Sequence, residues 1–141
     1  MFVVIMGCGR VGARLARMLV KAGNEVTILD RDASSFSRLG EDFGGQTILG
    51  NGLNQDVLEQ AGLTRADAFV AVTQGDNRNI MASQIAQHVF RVQRVVTRIN
   101  DPIRSDTFAA LGLRALSPTV IGANTFYEEL TGDLASSVGD V

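Results

Sequence analysis

Phe2-Val3-Val4-Ile5-Met6-Gly7-Cys8-Gly9-Arg10-Val11-Gly12 opens the chain: an unbroken apolar run leading straight into a Gly-x-Gly-x-x-Gly hexad. Such a hexad alone arises by chance. A strand before it, a helix after it and an acid at the end of the next strand make it specific for a nucleotide. All three are present. Val11, Leu15, Met18 and Leu19 fall at helical spacing and predict one apolar helix face. Glu25–Leu29 reads as a second strand, closed by Asp30. Gly7 permits the tight turn, Gly9 lets a pyrophosphate approach the backbone, and Gly12 lets the helix lie close to the strand. The free N–H groups of the helix start then face the phosphate. The helix dipole adds only about 0.3–1 kcal/mol for an exposed charge, so several N–H bonds must act with it.

Working outward, strand and helix patterns alternate to the end. Gly23-Asn24 stops the first helix, with Lys21 in its last turn. A helix carrying Phe36, Leu39 and Phe43 is predicted next, stopped by Gly44-Gly45, and Gln46–Leu49 is a third strand. Asn54 suits the cap of a short helix through Ala61, and Ala68–Val72 reads as a strand covered on both faces. Asp76 is the expected cap of a helix with Ile80, Met81, Ile85 and Val89 inward, followed by strand Arg94–Ile99. Asp101-Pro102 starts a helix through Leu111, and Arg114–Leu116 is a short sixth strand. Val120, Ala123, Tyr127, Leu130 and Leu134 form a last amphipathic stripe, and Ser136–Val141 reads as a frayed tail. The alternation predicts an α/β, Rossmann-like, doubly wound parallel sheet of six strands, order 3-2-1-4-5-6, with helices on both faces.

Composition narrows the function. A net charge of -2 sets up no field toward nucleic acid or anionic lipid. No apolar run nears the ~20 residues that span a bilayer, so direct membrane insertion is not expected. The start lacks a basic leader and Cys8 is the single cysteine, which fits a cytoplasmic protein without an internal disulfide. His88, Lys21 and Tyr127 are placed away from the strand ends, and no Tyr-x-x-x-Lys pair or paired metal ligands occur. No residue is therefore assigned to catalysis or to a metal, and Cys8 reads as a small filler of the loop. The alternative is an NAD-linked oxidoreductase or its isolated cofactor domain, which would need a substrate domain or proton donor.

In a sheet of this kind ligands sit outside the carboxyl ends of the strands. The candidates there are Gly7, Cys8, Gly9, Arg10 and Val11 after the first strand and Asp30 and Arg31 after the second. Asn51 and Gly52 follow the third strand, Thr73, Gln74 and Asp76 the fourth, and Arg98 ends the fifth. Asp30 suits ribose hydroxyls and repels a 2′-phosphate, favouring NAD or an adenosine nucleotide over NADP; Arg31 beside it pulls the other way, since an adjacent Arg can serve a 2′-phosphate or equally stack on adenine.

These motifs resemble the nucleotide-binding half of the RCK family, also called KTN or TrkA-N, the cytoplasmic regulatory subunits and domains of potassium channels and transporters. The similarity runs through Gly7-x-Gly9-Arg10-x-Gly12, Asp30-Arg31, Gly50-Asn51-Gly52 and Asp56-Val57-Leu58-Glu59-Gln60-Ala61-Gly62. It continues through Ala66-Asp67-Ala68-Phe69-Val70-Ala71-Val72-Thr73, Asp76-Asn77-x-Asn79, Arg98, Leu111-Gly112 and Pro118. It covers nearly the whole chain; Asn51 stands where an acid is commoner. The resemblance implies a nucleotide site that includes Gly12, Asp76 and Arg98, with Leu53 and Asn77 beside it, and residues 1–135 as the nucleotide-binding domain. It implies a non-catalytic regulator of potassium transport that binds NAD or NADH, alternatively ATP, ADP or AMP. The last helix would dock on a second copy in a homodimer or a larger ring. The partner would be a membrane potassium transporter or channel subunit, holding the chain at the inner face of the plasma membrane. The family's full unit also carries a C-terminal lobe, which this sequence does not contain.

Overall fold

The computed structural model describes residues 1–138. Six parallel strands form one sheet: β1 (Phe2–Met6), β2 (Glu25–Asp30), β3 (Gln46–Leu49), β4 (Ala68–Ala71), β5 (Arg94–Arg98) and β6 (Arg114–Leu116). Their order is β3-β2-β1-β4-β5-β6, as the alternation predicts. The helices are α1 (Arg10–Lys21), α2 (Gln55–Gln60), α3 (Asp76–His88), α4 (Pro102–Ala110) and α5 (Pro118–Thr131).

β1 is central and buried along its whole length because its residues serve both faces in turn. Val3 and Ile5 pack with Val26, Ile28, Ala13 and Ala16 under α1. Phe2, Val4 and Met6 pack with Leu58, Phe69 and Ile80 under α2 and α3. Each fully buried aliphatic side chain contributes roughly 1.5–3 kcal/mol. Sequence order reverses across β1, whose neighbours β2 and β4 lead to opposite halves of the sheet. The crevice therefore opens at the carboxyl end of β1.

Several expectations are corrected. The inward face of α1 is Gly12, Ala13 and Ala16, while Val11 and Met18 are 47% and 59% exposed. Small residues take the centre of that face because the helix lies tight on the glycine loop, while Leu15 and Leu19 of the expected face pack at its margin, partly buried. On α3 the inward residues are Asn79, Ile80, Ala82, Ser83 and Ala86; Met81 and Val89 face out. The second expected helix is a 3-10 helix, Ala33–Leu39, capped by Asp32, with Phe43 beyond it. Gly75, not Asp76, caps α3. Helix α5 stops at Thr131, so Leu134 lies outside it. Ala135–Ser137 make a 3-10 turn where a frayed tail is expected; residues 139–141 of that tail lie outside the described residues. No helix among the described residues is long and apolar enough to cross a membrane.

Candidate functional site

A cavity of about 740 Å³ lies over the carboxyl ends of β1, β2 and β4. Its floor is the glycine loop. Gly7 has φ +112°, and a Cβ there would sit 2.9 Å from the Thr73 nitrogen, so a side chain is excluded on two counts. A Cβ on Gly12 would lie 1.8 Å from the Gly7 carbonyl oxygen, so helix and loop touch backbone to backbone. Gly9 has open space where its Cβ would be, and that space belongs to the cavity.

Helix α1 starts without a side-chain cap and without an acid in its first turn. Its first N–H groups have no partner within the helix. Helices α2, α4 and α5 are capped by Asn54, Asp101 and Ser117, and α3, which also lacks a side-chain cap, carries the acid Asp76 in its first turn. The bare start of α1 thus suits an anion supplied from outside.

Asp30 is half-buried at the cavity edge. One of its oxygens accepts the Cys8 N–H (2.8 Å) and the other accepts the Asp32 N–H (2.8 Å). A carboxylate has about four acceptor sites, so both oxygens retain capacity for hydroxyl donors. Asp30 therefore also ties the glycine loop to β2. Cys8 is buried, and its thiol lies 3.4 Å from the Ser35 carbonyl oxygen. Burial, and then the nearby Asp30 charge, push the thiol pKa up to about 11, against a smaller opposing pull from Arg38. It stays protonated at neutral pH and fills space.

Across the cavity, Asn51 turns its own loop by accepting the Leu53 N–H (3.0 Å). Gly52 is pressed against Met6, whose sulfur lies 2.2 Å from where a Cβ would be. On the β4 side, the Asn79 side-chain oxygen accepts the Thr73 N–H (3.0 Å) and hydroxyl (2.6 Å). The Asn79 amide nitrogen donates to the carbonyls of Thr73 and Arg98 (2.9 Å each). This buried side chain clamps the ends of β4 and β5 together. Arg98 donates from Nε to the Asn100 side-chain oxygen (2.9 Å).

The sequence-derived candidates divide as follows. Gly7, Gly9, Arg10, Val11, Asp30 and Arg31 line this cavity from the β1 and β2 side. Asn51, Gly52, Leu53, Thr73, Gln74 and Arg98 line it from the other. Cys8 and Gly12 lie beneath the loop and shape it. Asp76 and Asn77 line a neighbouring cavity of about 770 Å³ over β4 and β5. Asp76 accepts the Asn100 N–H (2.8 Å) and the Asp101 N–H (3.2 Å), with Arg104 4.0 Å away; Arg104 also donates to Asn77. Sequence reasoning missed Asp32, Ser35, Arg38 and Arg78, which also line the first cavity. Arg38 and Arg78 sit inside helical segments rather than at strand ends. The signal available for them was a cationic side chain within a turn or two of a strand end. His88, Lys21 and Tyr127 line neither cavity.

Comparison with known proteins bears on the fold and the family. The model of the TrkA-N domain matches residues 3–118. The Trk system potassium uptake protein TrkA of Streptomyces coelicolor is 48% identical over 120 residues, which is 85% of this chain and 52% of that protein. The chain spans about half the length of the curated relatives it matches. The structure of GsuK bound to ADP superposes with a TM-score of 0.78 at 26% identity, over 93% of this chain and 34% of that one. The GsuK channel bound to NAD superposes with a TM-score of 0.77 at 26% identity, over 90% and 22% of the two chains. By motif, strand order and family match together, the chain belongs to the TrkA-N domain family.

Proposed function

We propose that this chain is the nucleotide-holding lobe of a regulator of potassium transport, and that it keeps NAD(H) or an adenine nucleotide bound as a signal, unreacted. The observation that carries this is the bare start of α1 over a glycine loop with an acid, Asp30, at the next strand end. The ligand's diphosphate rests on the first N–H groups of α1, and Asp30 accepts its ribose hydroxyls. Asn51, Gly52 and Leu53 face the adenine, and Thr73, Gln74 and Arg98 face the other end. Residues 1–135 make up this lobe. The GsuK structures with NAD and with ADP, and relatives named for Trk potassium uptake, support both ligand class and process. The membrane partner is a potassium transporter or channel subunit, reached at the inner face of the membrane.

The output is a change in how copies of the chain sit together. Helix α5 buries none of its residues, and Phe126 and Leu130 are 74% and 85% exposed. A second copy covers that face, as a homodimer or within a ring. The ligand acts only through its differential affinity for two arrangements. The oxidoreductase reading gains no support from the cavity, whose lining offers no His, Lys or Tyr among the described residues.

Calorimetry with NAD, NADH, ATP, ADP and AMP tests the reading. At least one should bind, and Asp30→Ala should weaken it about 10- to 150-fold, since hydrogen bonds to a charged acceptor contribute roughly 1.5–3 kcal/mol. Absence of heat with all five, and of competition among them, would overturn the assignment.

A further inference from the structure

The two cavities share a wall made of Gln74 and Arg78. Arg78 stands on the first turn of α3 with its guanidinium against Gly75, 3.0 Å from where a Cβ would be. No carboxylate among the described residues lies within ion-pair reach of it; the pairs found are Arg65 with Glu25 and Arg104 with Asp76. Asp76, its near neighbour, is turned away to the Asn100 and Asp101 N–H groups.

Charge along the first cavity is uneven. At the β2 end, Arg31 and Arg38 are offset by Asp30 and Asp32, and Arg10 stands between the two ends at the start of α1. At the β4–β5 end stand Arg78 and Arg98, and no acid lines the first cavity there. A nucleotide anchored by Asp30 and by the α1 amides must point its remaining half at this end, because the crevice runs from β2 across β1 to β4.

On the basis of the nucleotide site proposed above, we propose that Arg78 selects the ligand by the charge of that far half. It favours an adenosine dinucleotide or polyphosphate whose far end is neutral or anionic, and it disfavours a cationic one. The cleanest probes are NADH and NAD+, nearly equal in shape and differing by the positive charge of the oxidised ring. One unit charge about 8 Å from another changes binding by ~3- to 30-fold between water-like and protein-surface dielectrics.

The test is titration of the full chain with NADH and with NAD+ at one ionic strength, for wild type, Arg78→Gln and Arg78→Lys. Wild type should bind NADH more tightly, within that range, and the ratio should shrink as salt is raised. Arg78→Gln should lower the ratio at least threefold, and Arg78→Lys, which keeps the charge, should restore it. A ratio unchanged in Arg78→Gln, or a wild type that prefers NAD+, overturns the role of Arg78 while leaving the nucleotide site standing. Failure of wild type to bind either dinucleotide overturns the inference, and failure to bind ATP, ADP and AMP as well removes the site itself.

Discussion

Gly9 and Gly12 belong to one motif yet answer to different constraints. A methyl group on Gly9 would enter open cavity, whereas one on Gly12 would strike the Gly7 carbonyl at 1.8 Å. Gly9→Val should therefore keep the wild-type melting temperature within a few degrees and lose nucleotide binding in a titration. Gly12→Ala should melt well below wild type, with overpacking costs of roughly 1–3 kcal/mol or more. Equal effects of the two substitutions on stability would contradict the geometry. The places of Gly7, Gly12 and Asp30 were legible from sequence because each follows from where a strand ends. Arg38 and Arg78 were not, since a helical arginine looks like an ordinary solvated charge until the fold shows what it overlooks. Cys8 was legible as filler, and its raised pKa follows from the same enclosure.

At the scale of elements, the alternation of patterns disclosed all six strands and their order; β1 and β4, covered on both faces, read as unbroken apolar runs, whereas the mostly exposed edge strands β3 and β6 were placed by the helices and glycines around them. Helix orientation was harder to read. The apolar side chains Val11 and Met18 suggested one face of α1, but contact with the sheet selects Gly12, Ala13 and Ala16 instead. The same happened on α3, where a polar residue, Asn79, takes a buried place. Asn79 is fully enclosed and every polar atom of its side chain is engaged with Thr73 or Arg98. Asn79→Ala should destabilise the fold by about 2–4 kcal/mol, since it orphans buried backbone groups at two strand ends. Chemical denaturation checks this. A loss under about 1 kcal/mol would mean that the clamp between β4 and β5 is incidental.

For the molecule as a whole, the dominant feature is the imbalance between central strands β1, β2 and β4, packed on both faces, and a terminal helix that buries none of its residues. Ile121, Phe126 and Leu130 on α5 are joined in exposure by Leu111 and Leu116 before it. Exposed apolar side chains in such number are what the proposed contact with a second copy would cover. The wild-type chain should sediment as a dimer or larger at micromolar concentration. Phe126→Asp combined with Leu130→Asp should give a monomer with an unchanged melting temperature at the sheet. A wild type that stays monomeric, or a double variant that still associates, would remove α5 from the interface. The helix was legible in the sequence, but its stripe only in part: Leu130 is exposed as a member of it, Tyr127 is half-buried, Leu134 lies beyond the helix, and Ile121 and Phe126 were not counted in it. That it covers nothing of its own sheet was not, because the same periodicity serves a helix packed inward and one packed against a neighbour.

The place of β1 has a consequence for how the chain comes off the ribosome. Its pairing with β2 is available once residues 2–30 have emerged, but its other edge must wait for β4. At 5–20 residues per second, the ~40 residues between those two partners take a few seconds to be made. Through that interval the most apolar strand of the protein offers a bare margin to any passing chain. Birth, rather than the finished state, is when this molecule is most exposed to clumping, and a holding chaperone would find its handle at residues 2–6.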